Sequence, residues 1–134
     1  MDKIVFITGA SSGIGAGCAR KFASQGASLI LNARNVNKLS ALKEELEKQY
    51  GAKIYLLPFD VRDRKAATSA LESLPKEWQS IDILVNNAGL VIGTDKEQEG
   101  SLDEWDIVID TNIKALLAMT RLIVPGMVER KRGH

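Results

Sequence analysis

The chain has 134 residues, a formal net charge of +1 and 45% hydrophobic residues. These values suit one compact domain and give no footprint for nucleic acid or an acidic membrane. Cys18 is the only cysteine and His134 the only histidine, which excludes an internal disulfide and an ordinary zinc cluster.

Ile4 to Ile7 reads as a buried strand. It runs into Thr8-Gly9-Ala10-Ser11-Ser12-Gly13-Ile14-Gly15 and then into a helix over Ile14 to Gln25, closed by Gly26. Cys18 falls early in that helix among small residues, as a buried, inert thiol would. Ser28 to Asn32 is a second strand, and Leu39, Leu42 and Leu46 mark the apolar face of a second helix. Ile54 to Leu57 is a third strand, and Asp63 caps a helix that Pro75 ends. Ile81 to Val85 is a fourth strand, and Gly89 to Gly100 reads as a polar, mobile connection.

Ser101-Leu102-Asp103-Glu104 has the form of a capping box. It opens a long helix through Trp105, Ile109, Ile113, Leu116, Leu117, Met119 and Ile123, which Pro125-Gly126 is expected to kink or interrupt. No apolar run approaches the roughly 20 residues that span a bilayer, and the N-terminus is a strand, not a leader. Neither a membrane nor a nucleic-acid partner is expected, and the lone cysteine fits the reducing cytoplasm.

Continuous apolar strands alternating with helices predict an α/β, doubly wound parallel sheet of about four strands with flanking helices. Ligands of such folds bind beyond the carboxyl ends of the strands. Every informative motif sits there: Gly9 to Gly15, Asn32-Ala33-Arg34-Asn35, Asp60-Val61 and Asn86-Asn87-Ala88-Gly89. Glycine lets a backbone approach a pyrophosphate closely, and the next helix offers its N–H groups and positive dipole end. Gly9, Ser11, Ser12, Gly13, Ile14 and Gly15 are therefore phosphate-cradle candidates.

These four motifs resemble those of the classical short-chain dehydrogenase/reductase family, and the resemblance covers the entire chain. The glycine spacing of Gly9, Gly13 and Gly15 is similar to that family's cofactor motif, and Asn86-Asn87-Ala88-Gly89 to its second signature. Leu74 to Trp78 and Pro125 to Arg130 look most similar to the NADP-dependent 3-hydroxy acid dehydrogenases that oxidise serine and allo-threonine. The resemblance implies a Rossmann-type fold and hydride transfer between NADP(H) and a small hydroxy acid or carbonyl compound. It implies that the Asn112 backbone carbonyl holds a water in a proton relay to a catalytic lysine.

A carboxylate about 20 residues past the glycine loop accepts the ribose hydroxyls of NAD. This chain has Asn32-Ala33-Arg34 there, with no carboxylate. A guanidinium grips a 2′-phosphate that a carboxylate would repel, so Arg34 points to NADP, with Ser12 and Asn35 as helpers; an ordinary surface arginine is the alternative. Asp60 is placed to accept from the adenine amine beside the Val61 backbone, or simply to close a turn. Asn86 and Asn87 tie the fourth strand to its neighbours, while Ala88 and Gly89 let the cofactor approach.

The family's tyrosine, followed four residues later by lysine, has no match. Tyr50 is followed there by Ile54 and Tyr55 by Phe59, and no serine follows Ser101. The expectation is therefore a single NADP-binding domain over 1–134, the N-terminal half of a longer enzyme, inactive alone. With the family's strand order the fourth strand would be an open edge, so self-association or pairing with a missing C-terminal half is expected. A nucleotide-binding module without chemistry, and a fragment that dimerises through its last helix, are the competing readings.

Overall fold

A computed structural model of the chain describes residues 1–93 and 95–134. Strands β1 (Ile4–Ile7), β2 (Ser28–Leu31), β3 (Ile54–Leu56) and β4 (Ile83–Val85) form one parallel sheet in the order β3-β2-β1-β4. Helices α1 (Gly13–Ser24), α2 (Val36–Tyr50), α3 (Arg64–Glu72), α4 (Leu102–Ile109) and α5 (Ala115–Arg130) complete the fold.

Strand alternation sorts the core into two layers. Val5, Ile7, Leu29 and Leu31 face Ala19 and Ala23 of α1 and Leu39 and Leu46 of α2. Phe6 and Ile30 face Ala67 of α3 and Ala115, Met119, Ile123 and Met127 of α5. The apolar strands are continuous because helices cover both faces. Cys18 is half-buried at the rim of the first layer, less enclosed than expected.

The caps form where the side chains allow. Asn35 Oδ1 accepts from the Lys38 N–H and Asp63 Oδ1 from the Ala66 N–H. Ser101 Oγ accepts from the Glu104 N–H at 3.4 Å. The return bond of a full capping box does not form among the described residues, and the Glu104 carboxylate lies toward Gly93 instead. The connection expected to be mobile holds a 3-10 turn at Glu97–Glu99; it includes Thr94, which lies outside the described residues.

The long helix departs from expectation twice. It is not interrupted at Pro125, which sits inside α5. Proline removes one backbone bond, but buried Met119, Ile123 and Met127 hold this segment against the sheet, and packing outweighs propensity. The real irregularity is a π turn at Asp110–Lys114, joining α4 to α5.

Beyond α5 the backbone turns at Lys131, with φ 55°. The His134 N–H then donates to the Asp82 carbonyl, and the Leu84 N–H to the His134 carbonyl, each at 2.9 Å. This is the bonding of a parallel neighbour, so His134 occupies part of the β4 edge that the sequence leaves open.

Asp82, nearly buried, fastens this corner. Its carboxylate accepts from the Ile4 N–H at 2.9 Å and from Arg132 Nε at 2.7 Å. Burial pushes the carboxyl up, but the Ile4 N–H and the Arg132 guanidinium together outweigh it and hold it below the usual range. A depressed folded-state pKa stabilises above the unfolded value, near 3.9, and the gain is lost as pH falls through the folded value. Asp82→Asn should cost about 1–3 kcal/mol at pH 7 and flatten the acid limb of stability. Urea unfolding from pH 7 to pH 3 checks this, and equal losses at both ends would refute it.

Candidate functional site

β1 ends in a loop that must turn sharply into α1. Gly9 and Gly13 take φ of +61° and +54°, which side-chain-bearing residues avoid. Gly15 meets a different constraint. A Cβ there would collide with the Gly9 carbonyl oxygen and lie 2.5 Å from Asn87 Nδ2.

The loop is stapled to the end of β4. Buried Thr8 Oγ1 accepts from the Asn87 and Ala88 N–H groups at 3.0 and 2.9 Å. Asn87 Nδ2 donates back to the Thr8 and Gly9 carbonyls at 3.1 and 3.0 Å. The Ala10 N–H reaches the Asn32 carbonyl at 2.8 Å, so three strand ends share one rigid rim.

Ser12 is the N-cap of α1, yet its side chain makes no capping bond and the first turn carries no acidic residue. The first-turn N–H groups therefore keep their hydrogen-bonding capacity and positive potential. That combination fits an anion.

A groove of about 470 Å³ opens along this rim, a size typical of small-molecule sites. Gly9, Ser11, Ser12 and Ile14 line its first wall, Arg34 its second, Asp60 and Val61 its third, and Ala88 and Gly89 its fourth. Nine residues singled out from the sequence thus share one cavity. Exposed Arg34 sits where β2 leaves the sheet. Asn32, two residues earlier, is buried and donates to the Leu57 and Phe59 carbonyls, both at 3.1 Å.

The remaining candidates lie elsewhere. Gly13 and Gly15 shape the turn without lining the groove. Asn35 spends its carbonyl oxygen on capping α2. Asn86, a cofactor-site candidate expected to tie the fourth strand to its neighbours, donates to Thr120 Oγ1 of α5 at 3.0 Å and does not line the groove. Successive strand-end residues point to opposite faces, so Asn87 faces the glycine loop and Asn86 the helix.

Asn112 sits in the π turn. Its side chain makes two bonds to one residue, accepting from the Leu90 N–H and donating to the Leu90 carbonyl, each at 2.8 Å. It pins the segment that leaves the Asn86-to-Gly89 turn. A π turn takes a helix out of its i→i−4 ladder and recurs at functional sites.

Sequence reasoning missed Arg62. Its guanidinium braces Asp60, with Nη2 2.8 Å from Oδ2, and it lines the same groove. The Arg62 guanidinium holds the Asp60 carboxyl below the usual carboxylate range, against the opposing effect of burial, and Arg34 adds to the lowering.

Comparison with known proteins agrees with this geometry. The family model described as short chain dehydrogenase matches residues 3–134. The NADP-dependent 3-hydroxy acid dehydrogenase YdfG of Escherichia coli O6:H1 is 47% identical over 131 residues, covering 98% of this chain and 51% of that protein. The crystal structure of serine dehydrogenase from Escherichia coli superposes with a TM-score of 0.91 at 46% identity, over 98% of this chain and 59% of that one. A closed form of serine dehydrogenase complexed with NADP+ matches at a TM-score of 0.89 and 45% identity, over 98% of this chain and 51% of that one. The chain spans about half the length of the curated relatives it matches.

Proposed function

The chain belongs to the short-chain dehydrogenase family, and from that premise we propose that it binds NADP(H) and forms the cofactor-binding half of an oxidoreductase acting on a small hydroxy acid or carbonyl compound. The observation that carries the reading is the joining, in one groove, of the uncapped α1 N-terminus with Arg34. The glycine cradle has no Cβ to obstruct a pyrophosphate, and the cation stands where an NAD site keeps a carboxylate.

Ser11, Ser12, Ile14 and the α1 N–H groups hold the pyrophosphate. Arg34 grips the 2′-phosphate, helped by Ser12 and by the amide nitrogen of Asn35. Asp60 accepts from the adenine amine with the Val61 backbone beside it, and Ala88 and Gly89 border the ribose path. Asn86 supports this end indirectly, through α5. The bound cofactor supplies or accepts a hydride. The Asn112 carbonyl belongs to the proton path on the resemblance, and its side chain fixes Leu90 beside the groove.

The domain spans 1–134 and works in the cytoplasm. Among the described residues no helix is long and apolar enough to cross a membrane. A second copy of the chain, or a C-terminal half of the same enzyme, packs against the last helix, where Leu117 and Val128 leave apolar surface exposed. NADPH fluorescence titration tests the central claim. Saturable binding that 2′,5′-ADP displaces is expected, and a flat titration would overturn it.

A further inference from the structure

The Asp60–Arg62 pair is more than the turn requires. The turn after β3 is already closed without the guanidinium, with the Asp63 N–H donating to the Asp60 carbonyl at 2.9 Å and the Arg62 N–H to the side-chain Oδ1 of Asp60 at 3.0 Å. The guanidinium adds Nε at 3.2 Å from both carboxylate oxygens and Nη2 at 2.8 Å from Oδ2. Both side chains are 30% exposed, so the pair is partly shielded from water.

This contact answers a charge problem. A 2′-phosphate gripped by Arg34 lies in the groove that Asp60 also lines. An uncompensated carboxylate would repel the phosphate and would also draw Arg34 toward itself, since the Arg34 charge already acts on Asp60. We propose that Arg62 is a specificity-determining residue of the adenosine end: by neutralising the Asp60 carboxylate it lets a 2′-phosphate lie beside an acidic residue that the adenine amine needs. Arg62 thereby leaves Arg34 free for the phosphate. Asp110 is the next acidic group whose charge reaches Arg62, but it is paired with Lys114 at 3.3 Å and does not compete strongly. The inference rests on the reading of the groove as an NADP site.

Calorimetric titration of the full chain with 2′,5′-ADP and with 5′-AMP isolates the adenosine end. R62Q should weaken 2′,5′-ADP about tenfold while leaving 5′-AMP within about threefold, and R62K should restore most of the difference. Adding D60N to R62Q should bring the preference for 2′,5′-ADP back, because the uncompensated carboxylate is gone. Loss of adenine hydrogen bonding in that double variant weakens both ligands alike and cancels in the ratio. Equal losses for the two ligands in R62Q, or no loss, would overturn the role of Arg62. So would a preference that stays low in the double variant. Failure of the wild-type chain to bind 2′,5′-ADP would instead remove the NADP reading itself, and this inference with it.

Discussion

Gly15→Ala is expected to destabilise the chain by about 3 kcal/mol and to abolish measurable NADPH binding. The added methyl would collide with the Gly9 carbonyl oxygen and press on Asn87 Nδ2. Neither neighbour can move alone. Gly9 is held at a positive φ, and Asn87 donates to both the Thr8 and Gly9 carbonyls. Relief therefore requires α1 to lift from the rim, which breaks the staple between β1 and β4 and displaces the N–H groups of the first turn. Gly17 is the internal control, because a Cβ there meets nothing within 4 Å. Gly17→Ala should stabilise by about 0.5–1 kcal/mol through the lower entropy cost of alanine in a helix. Urea unfolding of both variants, with NADPH titration, decides the matter. A Gly15→Ala chain as stable as wild type would mean the contact between α1 and the rim is looser than this geometry.

The second large effect is on cofactor choice. Arg34→Asp should weaken NADPH about a hundredfold, the worth of a lost bidentate charge-assisted contact, with added repulsion from the new carboxylate. NADH should bind as well as before or better, because aspartate can accept from both ribose hydroxyls at this position. Backbone stability should be unaffected, since Arg34 is exposed and leaves no buried partner behind among the described residues. Dissociation constants for the two cofactors, measured on wild type and variant, give the ratio. An unchanged ratio would take Arg34 out of the site.

Some of this site was legible because it depends on local chemistry at strand ends. Gly9 and Gly13 mark a turn wherever they stand, and an arginine past the second strand differs from a carboxylate in any context. Four motifs in strand register then had to converge, because a doubly wound sheet brings its carboxyl ends to one edge. Partners across the fold were not legible. Asn86 and Asn87 are the same residue type in adjacent places, yet one serves α5 and the other the glycine loop. Nothing in their composition separates them; only the facing elements do. Arg62 stood two residues after Asp60 in plain view, but no periodicity marks such a pair as an ion pair.

The long last helix shows the same division. Its apolar periodicity and its Ser101 cap were readable. The passage through Pro125 and the π turn at Asp110–Lys114 were not, because both depend on long-range packing. Met119, Ile123 and Met127 are buried against the sheet, and Asn112 makes both of its side-chain bonds to Leu90. What the amino-acid order determined by itself was the alternation of strand and helix, the glycine turn and the chemistry carried at each strand end. The tertiary structure decided which side chains face the groove and which are occupied in holding it together. Hydrophobic periodicity is a property of each segment, whereas a hydrogen-bond partner is a property of whatever the fold brings within about 3 Å.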